Sequence, residues 1–155
     1  MPWAMAAVLF AGCIVPAPVD PVEAPVQPLL VIQASDLKPP SLESLIISRA
    51  QVSGQEFSVK QAIRAVGTRT PLKYYWYYDL AEGSIPGARI VCGNEPSCQL
   101  GVCALANAVQ DSHTVHLYVA DQALPFGAKK ATDFPAGTLW AGVQWPVKLK
   151  DSCPP

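Results

Sequence analysis

The clearest pattern along the chain lies near its end, where Val143, Trp145, Val147 and Leu149 alternate with Gln144, Pro146, Lys148 and Lys150. Period two is the signature of a strand with one buried and one wet face. Thr114-Val115-His116-Leu117-Tyr118-Val119 repeats it, with Val115, Leu117 and Val119 inward and His116 and Tyr118 outward. Leu72, Tyr74, Trp76 and Tyr78 form a third inward row, backed by Tyr75 and Tyr77. Earlier strands are expected over 45–52 and 57–66 with Ser53-Gly54 as the turn between them, and a shorter one over 88–92. About seven short strands separated by turn residues predict an all-β, antiparallel β-sandwich.

The first forty residues read differently. Met1 to Val19 carries no charged side chain, and Ala6 to Gly12 is an apolar run too short to span a bilayer as a helix. Such a run followed by small residues suits a secretory signal peptide over 1–12. From Ile14 to Pro40, prolines stand at 16, 18, 21, 25, 28, 39 and 40, which favours extended chain and predicts a Pro-rich tether over 13–40. Leu29-Leu30-Val31-Ile32 is its apolar exception and can dock as an edge strand. The sandwich is expected over 41–155. A buried apolar segment and a tail without a role are the alternatives for these two stretches.

Leu9-Phe10-Ala11-Gly12-Cys13 resembles the lipobox of bacterial lipoproteins, with Phe10 where that family usually has leucine. The resemblance implies cleavage before Cys13, acylation of that cysteine and attachment to a membrane. Ile14 after the cysteine, in place of aspartate, implies sorting to the outer membrane of a diderm cell envelope under the family's usual rule.

Sixteen prolines among 155 residues argue against a helical bundle. A net charge of −1 excludes charge-driven nucleic-acid binding. Beyond Cys13 there are four cysteines, Cys92, Cys98, Cys103 and Cys153, an even number that fits two disulfides and an oxidising compartment. Their C-x5-C and C-x4-C spacings lack the C-x2-C knuckle of structural zinc, so neither a metal nor another cofactor is expected.

Pro39-Pro40, Tyr74-Tyr75-Trp76-Tyr77-Tyr78-Asp79, the 113–121 strand and the Trp145 strand resemble the Ig-like domains of bacterial exported lipoproteins, of the PKD-like and cadherin-like kind. The likeness spans about Pro39 to Leu149, with a cysteine-bearing insertion over 91–105. In an Ig-like topology the last strand runs antiparallel to the 113–119 strand. Cys153 then meets the loop cysteines, most simply Cys103, leaving Cys92 for Cys98. The third strand lies beside the penultimate one and that beside the last, so Tyr75, Tyr77, His116, Tyr118 and Gln144 share an outward band. Such amphipathic rings are enriched at binding surfaces. Cross-strand stabilisation, or cover by the 83–111 insertion, is the other reading of that band.

Chemistry is thin by comparison. His113 and His116, three apart on a strand, point to opposite faces and cannot share a metal without a bulge. Asp111 and His113 could share a face, but no nucleophile accompanies them. Asp79 and Asp121 end two strands, where turn formation explains them as well as calcium does. The expectation is a non-catalytic envelope module that binds a protein or surface ligand. Its alternatives are a structural subunit of an envelope or secretion assembly and, further off, a hydrolase using the His113/His116 region.

Overall fold

The structure, a computed structural model, describes residues 27–40, 44–69, 71–79, 92–103, 112–125 and 133–153. Its described elements are the strands β1 (Leu29–Ile32), β2 (Leu45–Ser48), β3 (Gly54–Ser58), β4 (Ile63–Val66), β5 (Lys73–Tyr78), β6 (Ser97–Gly101), β7 (Ser112–Ala120) and β8 (Trp140–Lys150), with one 3-10 turn at Ala34–Asp36. Period-two patterning therefore yields the all-β architecture expected of it.

Four strands make the main sheet in the order β2–β8–β7–β5. β7 is antiparallel to both β5 and β8, and β2 runs parallel to β8. Two antiparallel ribbons, β1–β4 and β3–β6, supply the other layer of a β-sandwich. Between the layers lie Val115, Leu117 and Val119 of β7 and Trp145, Val147 and Leu149 of β8, all buried. The Trp145 ring stacks on Trp76 of β5 and meets Phe57 of β3 edge-on, joining the layers. Its indole N–H donates to the Pro39 carbonyl at 3.1 Å, so the one polar atom of a fully buried ring is satisfied.

Several boundaries depart from expectation. The tether does not run to residue 40, because β1 pairs with β4 and Leu30 and Leu37 are buried in the core. Part of the stretch expected as tether, Leu29–Ile32, is therefore a strand of the fold. The 45–52 strand stops at Ser48, where the Val52 N–H turns back to the Ser48 carbonyl. The expected 57–66 strand is two strands, and Ser53-Gly54 is not a simple turn, since Gly54 already belongs to β3. The break falls at Lys60-Gln61, where the Ala62 N–H closes a turn on the Val59 carbonyl. Of the strand expected over 88–92, residues 88–91 lie outside the described residues, and Cys92 is not in a strand. The 91–105 insertion instead contains β6, which pairs with β3 and buries Cys98 and Leu100 while Gln99 is exposed.

Two disulfides staple this arrangement: Cys92 is bonded to Cys98, and Cys103 to Cys153. The first closes a short loop that sits on the edge of β5. Within it, Asn94 Oδ1 accepts the Tyr74 N–H at 2.7 Å, and the Glu95 carbonyl accepts the Trp76 indole N–H at 2.9 Å. An edge that would otherwise offer unpaired backbone groups is thereby partly covered. The second bridge ties the end of β6 to the end of β8 across 50 residues of sequence. In the chain-entropy view that longer closure contributes about 4 kcal/mol against about 2 kcal/mol for the short one.

Candidate functional site

The outward face of the main sheet is built by the positions that alternate with the core rows. Cross-strand register sets Tyr75 opposite Tyr118 and Tyr118 opposite Gly142. The next row sets Tyr77 opposite His116 and His116 opposite Gln144. The expected band is thus one contiguous patch, and it is larger than the sequence indicated. Tyr77 meets Tyr118 edge-on at 6.0 Å between ring centroids, and Tyr118 meets Trp140 edge-on at 5.9 Å. Phe134 stacks on Trp140 at 5.9 Å and meets Tyr75 at 6.2 Å. Five rings form a continuous chain in edge-to-face and stacked pairs, the geometries that ring quadrupoles favour.

Gly142 makes room for this chain. A Cβ there would lie 3.0 Å from two ring atoms of Tyr118, so the tyrosine lies across the glycine. The rings differ in access. Tyr77 is 8% exposed, Tyr75, His116 and Tyr118 are half-buried, Gln144 is exposed, and Trp140 is 43% exposed. Tyr77 consequently belongs to the base of the patch and Trp140 to its surface. Phe134 and Trp140 are the members that sequence reasoning missed. For Trp140 a signal existed: continuing the outward row of β8 back from Gln144 through Gly142 leads directly to it.

Asp121 holds the arm that carries Phe134 and Trp140. Its Oδ1 accepts the Leu139 N–H at 2.9 Å, and its own N–H donates to the Leu139 carbonyl at 3.0 Å. Its Oδ2 accepts the Arg69 N–H at 3.3 Å, with the Arg69 guanidinium 3.9 Å away. The Asp121 side chain is only 3% exposed, so these donors replace the water its carboxylate has lost. Tyr75 adds a second tie, its hydroxyl oxygen accepting the Leu124 N–H at 2.9 Å.

The other end of β7 carries different chemistry. His113 points into the core, 3% exposed, and its Nδ1 lies 2.6 Å from Asp79 Oδ2. Its ring stacks on Tyr78, and its Nε2 is buried without a hydrogen-bond partner. Asp79 sits at φ +47°, a left-handed position that aspartate tolerates better than most residues. There its Oδ1 accepts the Thr114 N–H while its own N–H donates to the Thr114 carbonyl. Burial, helped by the Asp79 charge and opposed by Arg49, pushes the Tyr78 phenol far above its usual range. Burial also lowers the His116 pKa, with Asp79 pulling the other way.

His113 and His116 lie on opposite faces of β7, as their spacing predicts. Asp111 and Cys13 lie outside the described residues. Among the described residues no cluster of three or more His, Cys, Asp or Glu side chains is placed to hold a metal. Asp79 and Asp121 are each engaged by protein hydrogen bonds, at sites formed by different neighbours. Set against family models, curated proteins and solved structures, the chain has no match.

Proposed function

We propose that this chain is an exported lipoprotein, anchored through acylated Cys13 to the outer membrane, whose non-catalytic Ig-like sandwich binds a protein partner at the cell envelope. Supporting the Ig-like reading are the sheet order β2–β8–β7–β5, with its first strand parallel to β8, and the packing of that sheet on a second antiparallel layer. Two disulfides support passage through an oxidising compartment.

The observation that carries the binding role is the five-ring patch with Trp140 at its surface. Folding alone asks for rings that are buried. A tryptophan held by neighbouring rings while 43% exposed presents rigid apolar area with a polar N–H tip, the composition of an interface anchor. A non-catalytic role also suits His113, which is buried and paired with Asp79.

Photo-crosslinking in the native envelope, with a photoreactive residue in place of exposed Gln144, tests the face. A discrete protein adduct that disappears in Trp140→Ala supports the reading, and an adduct unaffected by Trp140→Ala, or none, overturns it. Intact mass from the same membranes tests the address: a chain starting at Cys13 with added acyl mass is expected, and an unacylated chain retaining Met1 removes the anchor.

A further inference from the structure

The β1–β4 ribbon has two unlike faces. Toward the core it sends Leu30, which is buried, with Ile32 and Ile63 packed against the same cluster. Outward, the register sets Leu29 opposite Val66 and Val31 opposite Arg64. Leu29, Val31 and Val66 are 39% to 50% exposed, three of the five large apolar side chains that stand open to solvent among the described residues. Such side chains are ordinary when scattered singly, whereas three at neighbouring positions of one ribbon mark a contact surface.

The outward row is graded along its length. Arg64, its charged member, donates to the Gln61 and Ile63 carbonyls and to Asp36 Oδ2 at 3.0 Å. Its charge is matched there, and the Leu29–Val66 pair forms an apolar end.

Where the chain enters the fold says what this end faces. Pro28 lies 3.3 Å from where a Cβ on Gly67 would stand, so the segment that leads back to Cys13 leaves the fold beside Leu29 and Val66. Leu29 stands sixteen positions after Cys13. A chain of that length reaches at most roughly 55 Å. An acylated Cys13 therefore keeps the apolar end close to the bilayer, at an effective concentration that lets a small contact form. The aromatic patch belongs to the outward face of the other layer, so a bilayer against β1–β4 leaves it open to a partner.

We propose that the β1–β4 ribbon is a lipid-docking face: Leu29, Val31 and Val66 enter the interfacial region of the bilayer to which Cys13 is anchored, and the aromatic patch points away from it. This rests on the anchor proposed above and adds an orientation to it. Interfacial binding of this kind scales with the apolar area buried. With Arg64 matched by Asp36, a bilayer without net charge is sufficient.

The attachment is made chemically for the test. Four of the five cysteines are bonded to one another, which leaves the Cys13 thiol of the full chain for coupling to a maleimide lipid in phosphatidylcholine nanodiscs. Spin-labelled lipid in the same discs should broaden the amide resonances of Leu29–Ile32 and Ile63–Val66 and leave those of Tyr118 and Gly142 sharp. Val31→Asn/Val66→Asn, both changes at exposed positions, should lose this selective broadening while the chain stays attached. Broadening that is even over both faces, strongest at Gly142 or the same in the variant overturns the proposal. So does a concentration-dependent shift of the Leu29 and Val66 amides in the uncoupled protein, which assigns the face to a second copy. Because the coupling is chemical, the two readings fail separately: an unacylated Cys13 in native membranes removes the anchor, and even broadening in the discs removes the docking.

Discussion

Strands β5, β7 and β8 contribute to both faces of the main sheet, yet the two faces are held together in different ways. On the inner face, Trp76 and Trp145 stack over the aliphatic rows of β7 and β8 and contact the opposing layer through Phe57. Every side chain there is closed in by residues distant in sequence. On the outer face the rings contact mainly one another, and among the described residues the cover over them comes from the arm that brings Phe134 and Trp140. That arm is fixed by polar bonds to Asp121, not by a second layer. The inner face therefore stabilises the fold, while the outer face retains exposed ring area whose placement depends on a few hydrogen bonds.

The largest test of this contrast is a pair of tryptophan deletions on β8. Trp145→Ala removes a fully buried ring with two aromatic partners and strands the Pro39 carbonyl, at a cost of about 3–5 kcal/mol. Trp140→Ala removes a partly exposed ring whose aromatic pairings are worth about 1 kcal/mol. Urea unfolding monitored by far-ultraviolet circular dichroism should show a large fall in midpoint for the first and a slight one for the second. Equal losses would mean that the outer patch is structural core, and the binding reading would lose its basis.

The inner face was largely legible because alternation reports burial directly. Val115, Leu117 and Val119, and Trp145, Val147 and Leu149, needed only a period-two count, and Leu29–Ile32 stood out against a proline-rich background. What resisted was anything decided by distant partners. β6 alternates too, but Cys98 reads first as a bridge residue, which masks Cys98 and Leu100 as core positions. The split between β3 and β4 depends partly on Lys38, which bonds Ser58 from twenty residues upstream. Phe134 could not be placed on the patch because its position follows from the arm that Asp121 fixes. The outward band itself was readable, though Tyr77 proved to be its floor rather than its surface.

Asp121→Ala is the middle-sized test, because it separates the arm from the sheet without touching any ring. The Leu139 and Arg69 N–H groups would lose their carboxylate acceptor, a cost of about 1–3 kcal/mol. Beyond that loss, amide exchange should accelerate over 133–139 and leave 115–119 comparatively protected. The crosslink at Gln144 should weaken as Trp140 loses its position. If exchange rises evenly through both faces, the arm and the core unfold as one unit and the contrast drawn above is wrong.

The smallest effect expected is electrostatic and belongs to the outer face alone. His116 sits between Tyr77 and Gln144 with its pKa lowered chiefly by burial, so the folded protein takes up a proton there less readily than the unfolded chain. Above about pH 6.5 the imidazole is neutral in both states and contributes no slope. As pH falls below that value the unfolded state binds more protons, so stability declines until the folded state is protonated as well. Asp79, whose charge favours the protonated ring, limits the size of the decline. His116→Gln keeps a polar group in the row and abolishes this contribution. Urea midpoints at about pH 7 and pH 5 should therefore differ less in the variant than in the parent protein. An unchanged difference would assign the acid sensitivity to other groups and leave His116 in a more water-like setting than its neighbours imply.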